Sequence, residues 1–92
     1  MLYYFWKEVM QVSQWDKLCR GILDKKKDLR FDDLAKALVK IGYSMEQPRG
    51  GSSHYTFRKP GCYPITIPKH QPMNRAYIEL VSEIVKRYLE EE

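Results

Sequence analysis

Residues 53–67 read SHYTFRKPGCYPITI, and this stretch decides the fold. Apolar and polar side chains alternate over its first six residues, which is the pattern of a strand with one face against a core. The tripeptide KPG that follows predicts a tight turn. The chain then returns over residues 62–67 as a second strand, with Ile65 and Ile67 toward the core, which completes an antiparallel hairpin. Pro64 predicts that the returning strand is bulged or lies at a sheet edge, because proline has no N–H to donate to a neighbour.

The two faces of the first hairpin strand differ in chemistry. Tyr55 and Phe57 point to one side and are assigned to the core. His54, Thr56 and Arg58 alternate with them and point to the other side. A sheet that is covered by helices on the core side alone leaves this polar side exposed. We therefore expect a catalytic or binding surface there.

The rest of the chain supplies helices and one more strand. Apolar residues at helical spacing predict helices over residues 14–25, 31–41 and 75–90, and residues 43–47 predict a short strand. The expected boundary residues are the N-caps Ser13 and Asn74 and the C′ residue Gly42. The order is helix, three strands, helix, with one added helix in front. It predicts a single α+β domain in which a three-stranded antiparallel sheet carries its helices on one face.

The net charge of +4 is concentrated in the middle third of the chain. Of the sixteen Lys and Arg residues, five lie within residues 47–78, where there is no Asp or Glu; the other eleven are balanced by all twelve acidic residues. A basic stretch without carboxylates favours contact with a polyanion, for which RNA is the obvious candidate. A basic face that serves solubility alone is the alternative.

The composition argues against a membrane protein. Hydrophobic residues make up 43% of the chain and charged residues 30%, as in ordinary soluble globular proteins. No apolar run is long enough to cross a bilayer. The segment at residues 2–6 is apolar and aromatic, but it lacks the basic region and the small-residue cleavage site of a signal peptide. We therefore expect a cytoplasmic protein with no membrane partner.

The cysteines and histidines do not form a metal motif. Cys19 and Cys62 are the only cysteines; together with His54 and His70 they match no zinc-ligand spacing, because no close Cys or His pair exists. We expect no metal and no other cofactor. In a chain that is not secreted the two cysteines are expected to be free thiols, with a disulfide between them as the alternative.

In three consecutive pieces the chain resembles the HicA-type toxins of bacterial toxin–antitoxin systems. The first piece runs from FDDL to IGY at residues 31–43, the second is GSSHYTFR at residues 51–58, and the third is ITIPKH at residues 65–70. Together with the last helix they span residues 29–90. The ordered set at these spacings carries the resemblance.

The resemblance implies a fold like that of a double-stranded-RNA-binding domain, with the order α-β-β-β-α. It also implies the activity of the family, whose members are mRNA interferases: metal-independent endoribonucleases that cut single-stranded messenger RNA without the ribosome. A HicB-type antitoxin normally binds such a toxin and blocks its active site. Residues 29–92 would form the HicA-like core, and residues 1–28 would add an N-terminal arm and an extra helix. The aromatic arm is a candidate contact for a homodimer or for the antitoxin.

The signature histidine of the family corresponds to His54, which the resemblance makes the catalytic residue. An imidazole ordinarily titrates near neutrality, so it can transfer a proton as base or as acid. An ordinary surface histidine is the alternative. We expect Arg58 and Lys69 to contact phosphates; His70 could contact RNA, supply a second proton-transfer group or lie in a solvated loop. The other candidate RNA- and phosphate-binding residues, which lead into the strand, are Gly51, Ser52 and Ser53.

A non-catalytic RNA-binding module of the same fold is the competing hypothesis, since a basic middle region would serve it equally well. Binders of duplex RNA need lysines at a helix N-terminus to reach the phosphates across the groove. The last predicted helix begins Asn74-Arg75-Ala76, with one cation in its first turn. The sequence therefore disfavours the duplex-binding form of this hypothesis.

Overall fold

The computed structural model describes residues 14–47, 49–50 and 53–91. The predicted N-terminal aromatic arm, the Ser13 cap and the candidate site residues Gly51 and Ser52 lie outside the described residues.

The described chain forms three helices and one antiparallel sheet, which confirms the predicted α+β layout of helix, three strands and helix with an added helix in front. The elements in chain order are α1 (residues 14–23), α2 (Phe31–Ile41), β1 (Ser44–Glu46), β2 (His54–Arg58), β3 (Ile65–Pro68) and α3 (Arg75–Glu91). The strand order is β1-β2-β3, so β2 is the central strand. Among the described residues no helix is both long and apolar enough to span a bilayer.

The helix boundaries have local causes. The predicted Asn74 cap is confirmed, because its side-chain Oδ1 accepts a hydrogen bond of 2.8 Å from the backbone N–H of Ala76. Gly42 ends α2 as predicted, with φ of 125° and its N–H directed to the carbonyl of Leu38 at 3.2 Å. Helix α1 ends at residue 23 and not at residue 25, because Lys25 adopts the left-handed conformation with φ of 54°.

The hairpin turn follows the prediction. The N–H of Cys62 donates to the carbonyl of Lys59 at 3.0 Å, and Gly61, the third residue of the turn, has φ of 80°. A proline in the second position and a positive φ in the third are typical of a type II turn. Strand β3 begins at Ile65, later than predicted, because the turn extends to Cys62 and Pro64 has no N–H for a ladder bond. The edge position predicted from Pro64 is confirmed.

The core lies between the sheet and the helices. Phe57 in the central strand is fully buried, and its direct partner in β3, Ile65, is buried as well. The ring of Phe31 in α2 packs on both inward-facing rings of β2, with centroid distances of 4.9 Å to Tyr55 and 6.2 Å to Phe57. The inward orientation predicted for these two residues is therefore confirmed. The other buried apolar residues come mostly from the helices: Cys19, Ile22, Leu29, Leu34, Ala35, Ala37, Leu38, Ile41, Tyr43, Ile67, Met73, Ile78, Val81 and Val85.

The added helix α1 packs onto the end of α3. The ring of Trp15 meets the ring of Tyr88 edge-on, with 6.4 Å between centroids. Cys19 and Ile22 extend this contact into the common core, where both are buried. Helix α1 is therefore an integral part of the domain. Cys19 and Cys62 are both free thiols, as predicted.

Replacing Phe57 by Ala is expected to lower the free energy of unfolding by about 3–5 kcal/mol, because it leaves a cavity at the centre of the core. Tyr63→Ala is the matched control, since that aromatic side chain is 92% exposed; its expected effect is within about 0.5 kcal/mol. Urea denaturation of both variants measures the difference. Equal destabilisation by the two substitutions would contradict the position of Phe57 in the core.

Stability at high pH is expected to depend on Tyr43, which is buried beside the hairpin turn. Burial raises the pKa of Tyr43, as do the charge and the hydrogen bond of Cys62, while Arg87 opposes the shift. Its phenol therefore keeps its proton to higher pH in the folded chain than in the unfolded chain. The contribution of Tyr43 to stability is complete below about pH 10, the usual phenol value, and is lost as pH rises through the folded-state value.

Tyr43→Phe is accordingly expected to reduce the fall in unfolding free energy between pH 9 and pH 11, because phenylalanine has no proton to lose. Urea denaturation of this variant and of the unmodified chain at both pH values measures the two falls. If the falls are equal, Tyr43 does not titrate differently in the folded and unfolded chains.

Candidate active site on the open sheet face

The sheet has one face that no described helix covers, and we call it the open face. Residues that pair directly across an antiparallel ladder project to the same side. The register pairs Ser44 with Arg58, Glu46 with Thr56, and Thr56 with Thr66. The polar side chains that share the open face are therefore Ser44, Glu46, His54, Thr56, Arg58 and Thr66. All of them are exposed except Thr56, which is half-buried.

His54 occupies one end of the open face. It is the first residue of the central strand, and it is exposed as predicted. The residue opposite it in β3 is Pro68, which is buried and presents an apolar neighbour to the imidazole. The backbone next to His54 is held to the chain after β3, because the N–H of Lys69 donates to the carbonyl of Ser53 at 2.8 Å. The strand thus presents the imidazole to solvent from a hydrogen-bonded backbone.

Two hydroxyl groups lie at the centre of the open face. The side-chain oxygens of Thr56 and Thr66 are 3.3 Å apart and share a hydrogen bond across the β2–β3 pair. Each hydroxyl can also donate to or accept from an additional group. The two hydroxyl groups therefore offer hydrogen bonds at the centre of the face without adding charge there.

An ion pair joins the centre of the open face, where Glu46 lies opposite Thr56, to its other end, where Arg58 lies. The Nε–H of Arg58 donates to Oε1 of Glu46 in the neighbouring strand β1. Both side chains are more than half exposed. Arg58 is four residues after His54 along β2, which amounts to about 13 Å at about 3.3 Å per residue. The predicted phosphate contact therefore lies at a distance from the imidazole and is already paired with a carboxylate.

Glu46 is the residue that the sequence reasoning missed. It is the last acid before the carboxylate-free stretch, and the pairing of β1 with β2 brings it beside Arg58 on the open face. The sequence signal for this position is the alternation of polar, apolar and polar side chains over Ser44, Met45 and Glu46. It places Glu46 on the same face as Ser44, but it becomes informative only when the β1–β2 register is known.

Lys69 lies on the helix side of the sheet. The alternation of β3 continues past the end of the strand, so that Lys69 follows Ile65 and Ile67 toward the helices. Its Nζ is 5.9 Å from the ring centroid of Phe31 and 6.0 Å from that of Tyr55, which is the outer limit of a cation–π contact. The structure therefore does not bring the ammonium group of Lys69 and the imidazole of His54 together on one face.

His70 is exposed and lines a small cleft of about 270 Å³ beside the start of α2, together with Arg30, Asp32 and Gln71. Because this cleft is formed by α2 and by the chain after β3, His70 is at the same end of the hairpin as His54 but does not belong to the paired residues of the open face. Ser53 is half-buried, and its carbonyl oxygen is the one that accepts from Lys69.

The open face is separate from the large grooves of the structure. Two large grooves, of about 750 and 570 Å³, lie against α2, and neither includes His54. Within the described residues, no three His, Cys, Asp or Glu side chains come close enough together to hold a metal ion. The described side chains of this face include groups that can donate or accept hydrogen bonds and an imidazole that can transfer a proton. The chain matches no known protein family, no curated protein and no solved structure.

Replacing Glu46 by Gln is expected to change the free energy of unfolding by less than about 1 kcal/mol, because exposed ion pairs contribute little to stability. Glu79→Gln is the matched control, since Glu79 forms a similarly exposed pair with Arg75 at 3.3 Å. Urea denaturation measures both changes. A loss of several kcal/mol for Glu46→Gln alone would show that the Glu46–Arg58 pair holds the sheet together.

Proposed function

We propose that the protein is a metal-independent endoribonuclease that cuts single-stranded messenger RNA, and that it is the toxin of a HicA-type toxin–antitoxin system. The observation that carries the proposal is the exposure of His54 at one end of a polar sheet face. The motif resemblance around this residue supports the same conclusion. The basic middle of the chain supplies the attraction for a polyanion.

RNA brings its own nucleophile, the ribose 2′-hydroxyl next to each phosphate. A protein that cleaves RNA without a metal must remove the proton of this hydroxyl, stabilise the charge on the pentacoordinate phosphorus, and protonate the departing 5′-oxygen. An imidazole can perform either proton transfer, and such a transfer typically accelerates a reaction about 10²–10⁴-fold. His54 is the proton-transfer residue in this proposal.

The open face offers a path for the RNA chain along β2. Thr56 and Thr66 supply hydroxyl groups at its centre that can bond to ribose or phosphate oxygens. Arg58 can bind a phosphate with the guanidinium N–H groups other than Nε, because a guanidinium has five donors in a fixed fork. Gly51, Ser52, Ser53 and His70 remain candidate contacts for the phosphates near His54.

In this proposal Lys69 acts through its positive charge from the helix side of the sheet, just after the end of β3. Its ammonium group lies over Phe31 and Tyr55, on the side opposite to the imidazole. Electrostatic attraction extends about 8–10 Å at moderate salt, so a cation at the sheet edge still favours a phosphate near His54. Direct contact with a phosphate requires the flexible lysine side chain to move off the two rings.

The competing hypothesis of a duplex-binding module has less support. The cation in the first turn of α3 is Arg75, and its Nε is engaged by Glu79 at 3.3 Å. The helix therefore does not present a cluster of unpaired cations at its N-terminus for the phosphates of a duplex. Binding of single-stranded RNA without cleavage remains the alternative that the cleavage assay below distinguishes.

The proposed protein partner is a HicB-type antitoxin that covers the open face. A bound protein there would bury His54 and exclude RNA from β2. The exposed aromatic ring of Tyr63, beside the hairpin turn, is a further candidate contact, because aromatic side chains are enriched in protein interfaces. Addition of the partner to the cleavage assay measures this inhibition directly; unchanged cleavage by the saturated complex would contradict it.

His54→Ala is expected to abolish cleavage of single-stranded RNA in EDTA, because it removes the proton-transfer group from an exposed position where folding is not affected. Lys86→Ala on the outer side of α3 is the control, and it should retain activity. Gel electrophoresis of the RNA measures cleavage, and circular dichroism confirms the fold of each variant. Cleavage by His54→Ala at the rate of the unmodified chain would refute the proposal; retention of RNA by the unmodified chain without cleavage would support the binding module.

A further inference from the structure

We propose that Glu46 is the general base that removes the proton from the ribose 2′-hydroxyl, while His54 is the general acid that protonates the departing oxygen. This inference rests on the proposed ribonuclease function. It assigns a second catalytic residue at the open face, on a strand that the motif resemblance does not include.

The sheet register sets the position of Glu46. Glu46 pairs with Thr56, so it lies diagonally across from both His54 and Arg58 on the open face. Diagonal neighbours on one face of an antiparallel pair are about 7–8 Å apart. Side chains as long as those of glutamate and histidine can reach across this spacing, so both can contact one phosphate that lies between them.

Cleavage requires two proton-transfer groups that are separated in this way. The attacking and leaving oxygens of a phosphoryl displacement lie roughly in line on opposite sides of the phosphorus. A base must therefore reach one side of the phosphate while an acid reaches the other. A single imidazole cannot occupy both sides at once, and Glu46 is the only acid in the three strands.

The reaction balances with these two groups. The Glu46 carboxylate accepts the proton of the 2′-hydroxyl as the 2′-oxygen forms a bond to phosphorus. The bond from phosphorus to the 5′-oxygen then breaks, and that oxygen takes a proton from the imidazolium of His54. The products are a 2′,3′-cyclic phosphate and a free 5′-hydroxyl, and a proton that passes from Glu46 to His54 through water resets the site.

The ion pair with Arg58 supports this role. It holds the Glu46 side chain on the open face, where a carboxylate can accept a proton or a hydrogen bond. The guanidinium also stabilises the additional negative charge that develops on the phosphate oxygens. The pair thus offsets the repulsion that a carboxylate alone would exert on a phosphate.

The alternative second groups fit less well. His70 lines the cleft at the start of α2 and is not among the paired residues of the open face. Glu79 and Glu83 are on the helix α3, which packs on the other side of the sheet. Among the described acidic residues, Glu46 therefore has the position from which a base can act together with His54.

The experiment compares two substrates. The first is a short single-stranded RNA, and the second is the same RNA with sulfur in place of the 5′-oxygen at one linkage. A thiolate leaves without protonation, so the sulfur substrate needs a base but not an acid. Initial rates in EDTA are measured for the unmodified chain and for the variants Glu46→Gln, His54→Ala and Glu79→Gln.

Glu46→Gln is expected to lose about 10²–10⁴-fold in rate on both substrates, because glutamine keeps the size and the hydrogen bond but cannot accept the proton. His54→Ala should be inactive on the oxygen substrate and should recover on the sulfur substrate. Glu79→Gln, which removes an equally exposed ion pair with an arginine, should keep the rate of the unmodified chain on both.

Several outcomes would overturn the inference without affecting the proposed function. They are an active Glu46→Gln variant, a loss of the same size in Glu79→Gln, and a Glu46→Gln variant that recovers on the sulfur substrate. An unmodified chain that cleaves neither substrate would instead refute the ribonuclease function itself, and the role of Glu46 with it.

Discussion

The burial of alternate side chains in the central strand is the constraint on which the structure depends. Phe57 and Tyr55 pack against Phe31, and Phe57 is paired with the buried Ile65. A slip of one residue in the pairing would turn these rings toward solvent and His54 toward the core. The free energy of burying Phe57 therefore fixes the register, and the register fixes which polar groups share the open face.

The two faces of the sheet thus carry different kinds of side chain. The helix side contains the apolar core, in which α2 and α3 contribute most of the buried residues. The open face contains an imidazole at one end, two hydroxyl groups at the centre and an exposed ion pair that joins the centre to the other end. These side chains contribute little to the buried core. The rigid backbone of a central strand holds them in place, and such precision favours catalysis.

The distribution of charge along the chain is a poor guide to the charges on the open face. Residues 47–78 contain no carboxylate, but the fold brings Glu46 from just outside that stretch into contact with Arg58. It also directs Lys69 to the opposite side of the sheet, over two aromatic rings. The fold thus directs the positive charge of Lys69, which lies inside the stretch, away from the open face. It adds the negative charge of Glu46, which lies outside the stretch. The fold thereby places a carboxylate as well as an imidazole among the open-face residues.

The sequence by itself determined the elements and their local boundaries. The bounds of α2, the Asn74 cap, the Gly42 terminus, the turn at Gly61 and the inward or outward direction of each residue in β2 follow from interactions between neighbours in the chain, which short patterns report well. Only the tertiary structure decided that Glu46 lies beside Arg58 and diagonal to His54, because that depends on which strand pairs with which and in what register. Likewise, the contact of Lys69 with Phe31 joins residues that are far apart in the chain. Such contacts are set by the packing of the whole core, and no local pattern encodes them.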